Sequence, residues 1–299
     1  MTDKRLGDAA LTALAPAIWG STYLVTTELL PPGRPLLASV VRALPAGLAL
    51  VAAGRQLPRG RWWWRAFALG ALNIGAFFAL LFVSAYHLPG GVAALMISAQ
   101  PVLVLVLSAL LLRDRIRSVQ AASCVVGAAG VAMLVLQPQA GADSIGVLSG
   151  LLGALCMASG IVLTKRWGRP EGASLVTFTG WQLTAGGLVL LPVMVLAEGL
   201  PEQISAVNIA GFAYLGLIGA LLSYAIWFRG IERLPPVAVS FLGLASPLAA
   251  TALGYLVLDQ TLSPVQLLGA AAVIAAVVLA QLPGPRPAKP AVAGTSSTN

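Results

Sequence analysis

Apolar runs of about twenty residues alternate along this chain with short clusters of proline, glycine and charge. A hydrocarbon layer about 30 Å thick is crossed by roughly 20 helical residues. On that spacing the sequence predicts ten helices, near 8–29, 35–54, 64–86, 89–112, 118–137, 144–167, 173–197, 207–231, 235–258 and 263–282. Two of the predicted turns are very short, Leu88-Pro89-Gly90 and Leu234-Pro235-Pro236. The first run follows Lys4 and Arg5 as a signal peptide would, but it is long enough to span and the remainder is equally apolar, so it reads as a retained helix. After residue 282 the composition turns to Pro, Ala, Ser and Thr, which predicts a disordered tail over 283–299.

Composition narrows the class. Hydrophobic residues make up 58% before the 32 glycines are counted, and charged residues only 9%. A soluble domain carries roughly 45–50% apolar residues with glycine included, and about 25% charged. A soluble globule of this length would expose aliphatic patches that aggregate or seek a membrane. Disorder, collagen and a disulfide scaffold fail on the same composition, and Cys124 and Cys156 read as small apolar residues inside apolar runs. The chain is predicted to be an all-α integral membrane protein.

The net charge of +8 would suit nucleic acid, but its distribution follows membrane topology instead. Sixteen of the 18 Lys and Arg residues fall in one alternating set of connections and ends: Lys4 and Arg5; Arg55, Arg59, Arg61 and Arg65; Arg113, Arg115 and Arg117; Lys165, Arg166 and Arg169; Arg229 and Arg233; Arg286 and Lys289. The other set holds Arg34 with Glu28, Asp143, Glu198, Glu202 and Asp259. Cytoplasmic loops carry the basic excess, so both termini are expected in the cytoplasm.

The chain also repeats. At an offset of 146 residues, 88–136 lies on 234–282 without a gap: Leu88-Pro89 meets Leu234-Pro235, Pro101 meets Pro247, and Val119-Gln120 meets Val265-Gln266. Nearby offsets place Ser21 and Thr26 on Ser159 and Thr164, and Arg42 on Gln182. The expected units are 8–137 and 144–282, each of five helices. Because five is odd, the second copy is expected upside down relative to the first. Inverted repeats are a construction of carriers, with the substrate near the midplane where the halves meet.

Short motifs carry a resemblance. Trp19-Gly20-Ser21-Thr22-Tyr23, Arg42, and Ala99-Gln100-Pro101 followed by Leu110-Leu111-Leu112-Arg113-Asp114-Arg115 resemble the EamA domain of the drug/metabolite transporter superfamily. Ala245-Ser246-Pro247 and Leu256-Val257-Leu258-Asp259 are similar in the second copy, so the resemblance covers about 8–282 as two domains. Where that family commonly has Gly-Glu, this chain has Arg113-Asp114 and Asp259-Gln260. The resemblance implies a multi-pass carrier of the bacterial cytoplasmic membrane and, as first substrate class, amino acids, aromatic or large neutral. A multidrug or metabolite exporter is the alternative.

Candidate transport residues follow from depth. Pro101 and Pro247 lie midway along their predicted helices, where a lost backbone bond makes a hinge or a static kink. Arg42 stands about 10 Å inside the second helix, where a charge must face protein or water. It suits either a substrate carboxylate or a structural contact reached by snorkelling. Trp19, Ser21 and Tyr23, Asn73 and Phe78, Gln100, Ser159, Trp181 and Gln182, Tyr224 and Trp227, and Ser246 are the polar and aromatic residues at middle depth. Together they fit a neutral or zwitterionic solute with an apolar part, although each type also serves in helix packing.

Trp62, Trp63 and Trp64 read as an interface belt, and Glu28 as a solvated helix-end cap. His87, placed at the cytoplasmic end of the third helix, reads as a cap or interface residue. No acid falls at the midplane to serve as a coupling site. The same gap, with isolated cysteines and one histidine, argues against an intramembrane hydrolase. A passive pore and a membrane sensor leave less trace and are separated from a carrier by flux. The expected partners are a small solute, an amino acid or related metabolite, and the lipid bilayer, with no nucleic acid, no cofactor or metal, and the chain a monomer.

Overall fold

The computed structural model describes residues 3–87, 96–135, 143–201, 203–257 and 263–282. Among these, every regular element is helical. They group into ten rods: α1 (Asp3–Leu29), α2 (Pro35–Gly54), α3 (62–87), α4 (Gln100–Leu111), α5 (Ser118–Val135), α6 (Ser144–Trp167), α7 (Leu175–Ala197), α8 (Ala206–Arg233), α9 (Pro236–Val257) and α10 (Pro264–Ala280). Seven of them, α1 to α3 and α6 to α9, are long and apolar enough to cross a membrane, while α4, α5 and α10 are shorter apolar helices. The turn at Leu88-Pro89-Gly90, the Asp259-Gln260 pair and the tail at 283–299 lie outside the described residues.

Local chemistry sets the helix starts. Prolines stand at the first turns of α2, α9 and α10, where the missing N–H has no helical partner to lose. Asp143 accepts from the Ile145 and Gly146 amides at the start of α6, and Ser174 accepts from Thr177 at the start of α7. Ser205 with Asn208, and Ser263 with Gln266, close reciprocal capping boxes on α8 and α10.

The packing partners form an ordered set. α2 lies along α7 and α5 along α10; α1 packs on α8 and α9, while α6 packs on α3 and α4; α3 meets α7, and α8 meets α2; α4 meets α9. Replacing each helix by the one five places away leaves these principal pairs unchanged; among the described residues the smaller contacts of α6 with α8 and α9 have no counterpart of similar size. Small residues let α2 and α7 approach closely. A Cβ at Gly47 or Gly54 would meet Thr184 or Thr177, and one at Gly180 or Gly187 would meet the backbone at Leu50–Val51 or Leu44.

Two local irregularities keep the same register. α3 carries a π-helical stretch at Ala71–Ala76 and α8 one at Leu217–Leu222, displaced by the same 146 residues as the sequence repeat. Helical pairing is also interrupted before both mid-helix prolines. Ala99 N bonds Met96 O at 3.2 Å, Leu244 N bonds Phe241 O at 3.0 Å, and Ser246 N bonds Gly243 O at 3.1 Å, all three residues back. Pro101 and Pro247 then lie in the first turn of Gln100–Leu111 and Ala245–Val257, whereas Pro16, Pro45 and Pro192 sit inside unbroken helices.

One expectation is corrected. His87 Nδ1 lies 3.4 Å from the Asp143 carboxylate, at the start of α6. The opposite ends of α3 and α6 meet where Trp64 packs edge-on against Trp167 at 4.9 Å and Arg65 covers both rings. His87 therefore belongs to the acidic end of the molecule and not to the basic, cytoplasmic-type end. Trp64 and His87 mark opposite ends of α3, and the pairing with Asp143 sets His87 at the end where α6 begins.

Candidate functional site

The π-turn of α8 is where the two halves exchange polar contacts. In an α-helix the Ser223 N–H would bond the Gly219 carbonyl, but here it reaches Ala220 and Ile218 and passes Gly219 by. A carbonyl so exposed inside apolar surroundings needs other donors. It receives Ser223 Oγ at 2.6 Å, Trp19 Nε1 at 3.1 Å, and Arg42 through Nη2 at 2.8 Å and Nε at 3.2 Å. The Trp19 indole N–H also donates to Ser223 Oγ at 2.8 Å. Side chains from α1 and α2 thus converge on one backbone oxygen of α8.

Arg42 is 7% exposed. Its Nη1 lies 3.4 Å from Thr22 Oγ1, and its guanidinium carbon stands 5.2 Å from the centroid of the Phe78 ring. Stacked on a ring and donating to a carbonyl, the charge is compensated by protein groups.

Aromatic rings surround this contact. Trp19 packs on Tyr224 at 4.9 Å and on Trp227 at 5.2 Å, and Phe78 meets Tyr224 edge-on at 6.4 Å. Phe78, Tyr224 and Trp227 are all buried, the last two at 1% exposure. These rings sit at the middle depth from which the sequence drew its candidate residues. The Trp227 indole N–H has no hydrogen-bond partner among the described residues.

The equivalent π-turn of α3 makes a neutral counterpart. Asn73 Nδ2 donates to Gln182 Oε1 at 2.9 Å and lies 3.4 Å from Thr164 Oγ1. Gln182 is the residue that the repeat aligns with Arg42. Each π-turn therefore receives the corresponding side chain from the second helix of the other half, cationic in one case and an amide in the other.

Other candidates lie apart from this centre. Ser21 Oγ shares a 2.7 Å bond with the Tyr214 hydroxyl and donates to Ile18 O at 2.7 Å. Trp181 donates from Nε1 to Gln56 O at 2.8 Å and packs with Leu69 and Phe178 near the basic end, away from the middle. Ser246 is half-buried where Gly20 of α1 approaches its backbone, and Ser159 is half-buried on α6. Gln100 opens α4, buried, with its Nε2 lacking a partner among the described residues. The side chain of Tyr23 lies outside the described residues. Trp19, Arg42, Phe78, Tyr224 and Trp227 come together; Asn73 and Gln182 form the second node.

Thr22, Thr164, Tyr214, Gly219 and Ser223 complete these contacts and had not been singled out. The repeat itself held one signal, since the 146-residue offset places Gly219 opposite Asn73. Among the described residues no three His, Cys, Asp or Glu side chains gather as a metal site.

Long apolar helices around a buried aromatic and guanidinium centre define a membrane protein, and the comparisons with known proteins give its family. The EamA-like transporter family model matches residues 8–136 and again 144–282. Protein PecM of Dickeya dadantii is 49% identical over 267 residues, covering 89% of this chain and 90% of that protein. "Uncharacterized inner membrane transporter YedA" of Escherichia coli K12 is 28% identical, covering 92% and 91%. A Salmonella typhimurium protein named "Probable amino-acid metabolite efflux pump" is 27% identical, covering 90% and 92%. The chain belongs to the EamA-like transporter family. It is a multi-pass protein of the bacterial inner membrane.

Proposed function

We propose that this protein is a secondary transporter that exports small organic metabolites, with aromatic or large neutral amino acids as the substrate class. The observation that carries this reading is the buried cluster of Trp19, Arg42, Phe78, Tyr224 and Trp227, built from α1, α2, α3 and α8 where the two halves meet. Aromatic walls suit a large apolar side chain, and a guanidinium suits a carboxylate. The name of the Salmonella relative points to the same class.

The carrier works by alternating access between two inverted five-helix repeats, 8–137 and 144–282, that together cross the bilayer ten times with both termini cytoplasmic. The fivefold exchange of packing partners and the π-turns 146 residues apart support this arrangement. The interruptions before Pro101 and Pro247 are the flexible points of the rocking motion. The working unit is a monomer.

Purified protein in liposomes preloaded with labelled amino acids tests the assignment. Saturable efflux of phenylalanine, tryptophan or leucine, competed by the unlabelled compounds, is the expected result. Folded protein that moves none of them, but moves cationic or neutral drugs, would replace this reading with a multidrug exporter.

A further inference from the structure

The contact between Arg42 and the Gly219 carbonyl has more donors than the acceptor requires. A carbonyl oxygen has two lone pairs. The Gly219 oxygen has four donor atoms within 3.2 Å, contributed by Ser223, Trp19 and, twice, Arg42. If Arg42 withdrew, Ser223 Oγ would still donate to the carbonyl at 2.6 Å, and the Trp19 N–H, shared with Ser223 Oγ, would remain at 3.1 Å. The usual penalty for orphaning a buried carbonyl would not apply.

Arg42 is also held below its capacity. Its Nε and Nη2 groups, a parallel pair shaped for two oxygens, share a single neutral oxygen here. A carboxylate would give each N–H its own charged acceptor, in bonds roughly twice as strong as those to a neutral group. A second donor is available in the same cluster, the buried Trp227 Nε1, which lacks a partner among the described residues. The rings of Trp19, Phe78, Tyr224 and Trp227 would enclose an apolar group attached to that carboxylate.

We propose that Arg42 is an exchangeable clasp, which a substrate carboxylate draws off the Gly219 carbonyl, so that binding itself unties α2 of the first half from the π-turn of α8. The ligand class is an aromatic or large apolar carboxylate. The inference rests on the cluster being the substrate site. It adds that the acid group is obligatory for tight binding and that its binding releases a contact between the halves. The neutral Gln182–Asn73 node leaves the first π-turn in place, so the exchange acts on one side of the pseudo-symmetric pair.

Calorimetric titration of the full-length protein in nanodiscs tests this with two isosteric pairs, phenylacetate against phenylacetamide and L-phenylalanine against L-phenylalaninamide. The carboxylate member should bind at least tenfold more tightly in each pair. Arg42→Gln should reduce that preference to within twofold. Ser223→Ala, which keeps Arg42 and removes one of its companions on the carbonyl, should reduce it several-fold by making the guanidinium harder to withdraw. Equal binding of acid and amide to the wild type overturns the clasp, as does a preference unchanged in Arg42→Gln. If Arg42→Gln fails to fold, an unchanged preference in Ser223→Ala does so alone. Saturable phenylalanine efflux without an acid preference would sink the clasp and leave the export reading standing. Binding and efflux both absent from folded protein would end both.

Discussion

The guanidinium of Arg42 meets the Gly219 carbonyl through Nη2 at 2.8 Å and Nε at 3.2 Å, which ties the second helix of one half to the π-turn of the other. Lysine keeps the charge at this position but offers a compact ammonium in place of the planar fork. Arg42→Lys should therefore cut efflux at least tenfold, about 1.4 kcal/mol in the barrier. Folded yield should change little, because Trp19 and Ser223 still satisfy the carbonyl. Size-exclusion profiles beside initial efflux rates make the comparison, and equal losses in both would return Arg42 to a structural role.

Gln100 is expected to behave in the same direction for a different reason. Its Nε2 is buried without a partner among the described residues, so Gln100→Leu removes an unsatisfied donor and should leave the melting temperature unchanged or raise it. A fall in efflux with no loss of stability marks a substrate contact. Unchanged efflux removes it from the site.

At the acidic end, Glu198 caps a helix of the other half. Its carboxylate accepts from the Leu36 and Leu37 amides at 2.7 and 2.8 Å, while Arg34 donates to its backbone carbonyl. Glu198→Ala should cost about 1 kcal/mol, the usual value of a helix N-cap. Glu198→Gln, which keeps one acceptor oxygen, should cost less. Thermal unfolding in detergent orders the three proteins.

Gly47 faces the Thr184 backbone across the α2–α7 contact, with no room for a side chain. Gly47→Ala should destabilise by about 1–3 kcal/mol through overpacking. Gly7→Ala, where a Cβ meets nothing within 4 Å, is the control in the same thermal assay and should be neutral or mildly stabilising, since alanine suits the interior of α1 better than glycine.

The cap of α6 gives a pH dependence. The Gly146 N–H above all, then that of Ile145 and the nearby His87, hold the Asp143 carboxyl below its ordinary value of 3.8, outweighing partial desolvation. A lowered acid contributes stability that is fully present above 3.8 and lost as pH falls through the depressed value. The melting-temperature difference between wild type and Asp143→Ala should hold steady above about pH 5 and shrink as the solution becomes more acid than the unfolded carboxyl. A difference that grows on acidification would contradict the sign.

The rods were legible because their ends are written in local chemistry. α2 and α6 begin and end where the sequence placed them, at Pro35 and Gly54 and at Ser144 and Trp167, since proline, a capping acid and charge punctuate both. Depth along a helix was legible too, which is why Trp19, Arg42, Phe78, Tyr224 and Trp227 could be chosen together. Rotation about the helix axis was not. A helix that is apolar all round gives no facing signal, so Ser21 stood beside these five although it bonds Tyr214, while Trp181, the exception in depth, bonds Gln56 toward the basic end. The π-turns left no mark either, because Ala71–Ala76 and Leu217–Leu222 contain no residue that forbids an ordinary helix. Gly219, whose carbonyl the turn exposes, contributes no side chain to notice.

In the proposed carrier the aromatic and guanidinium centre must change state for each solute that crosses. Trans-stimulation in proteoliposomes tests it most directly, by following the exit of labelled phenylalanine with and without unlabelled phenylalanine outside. A carrier should show saturable exit, accelerated severalfold by outside substrate in the wild type and far less in Arg42→Lys. Exit that rises linearly with concentration and ignores the far side would contradict it and identify a pore.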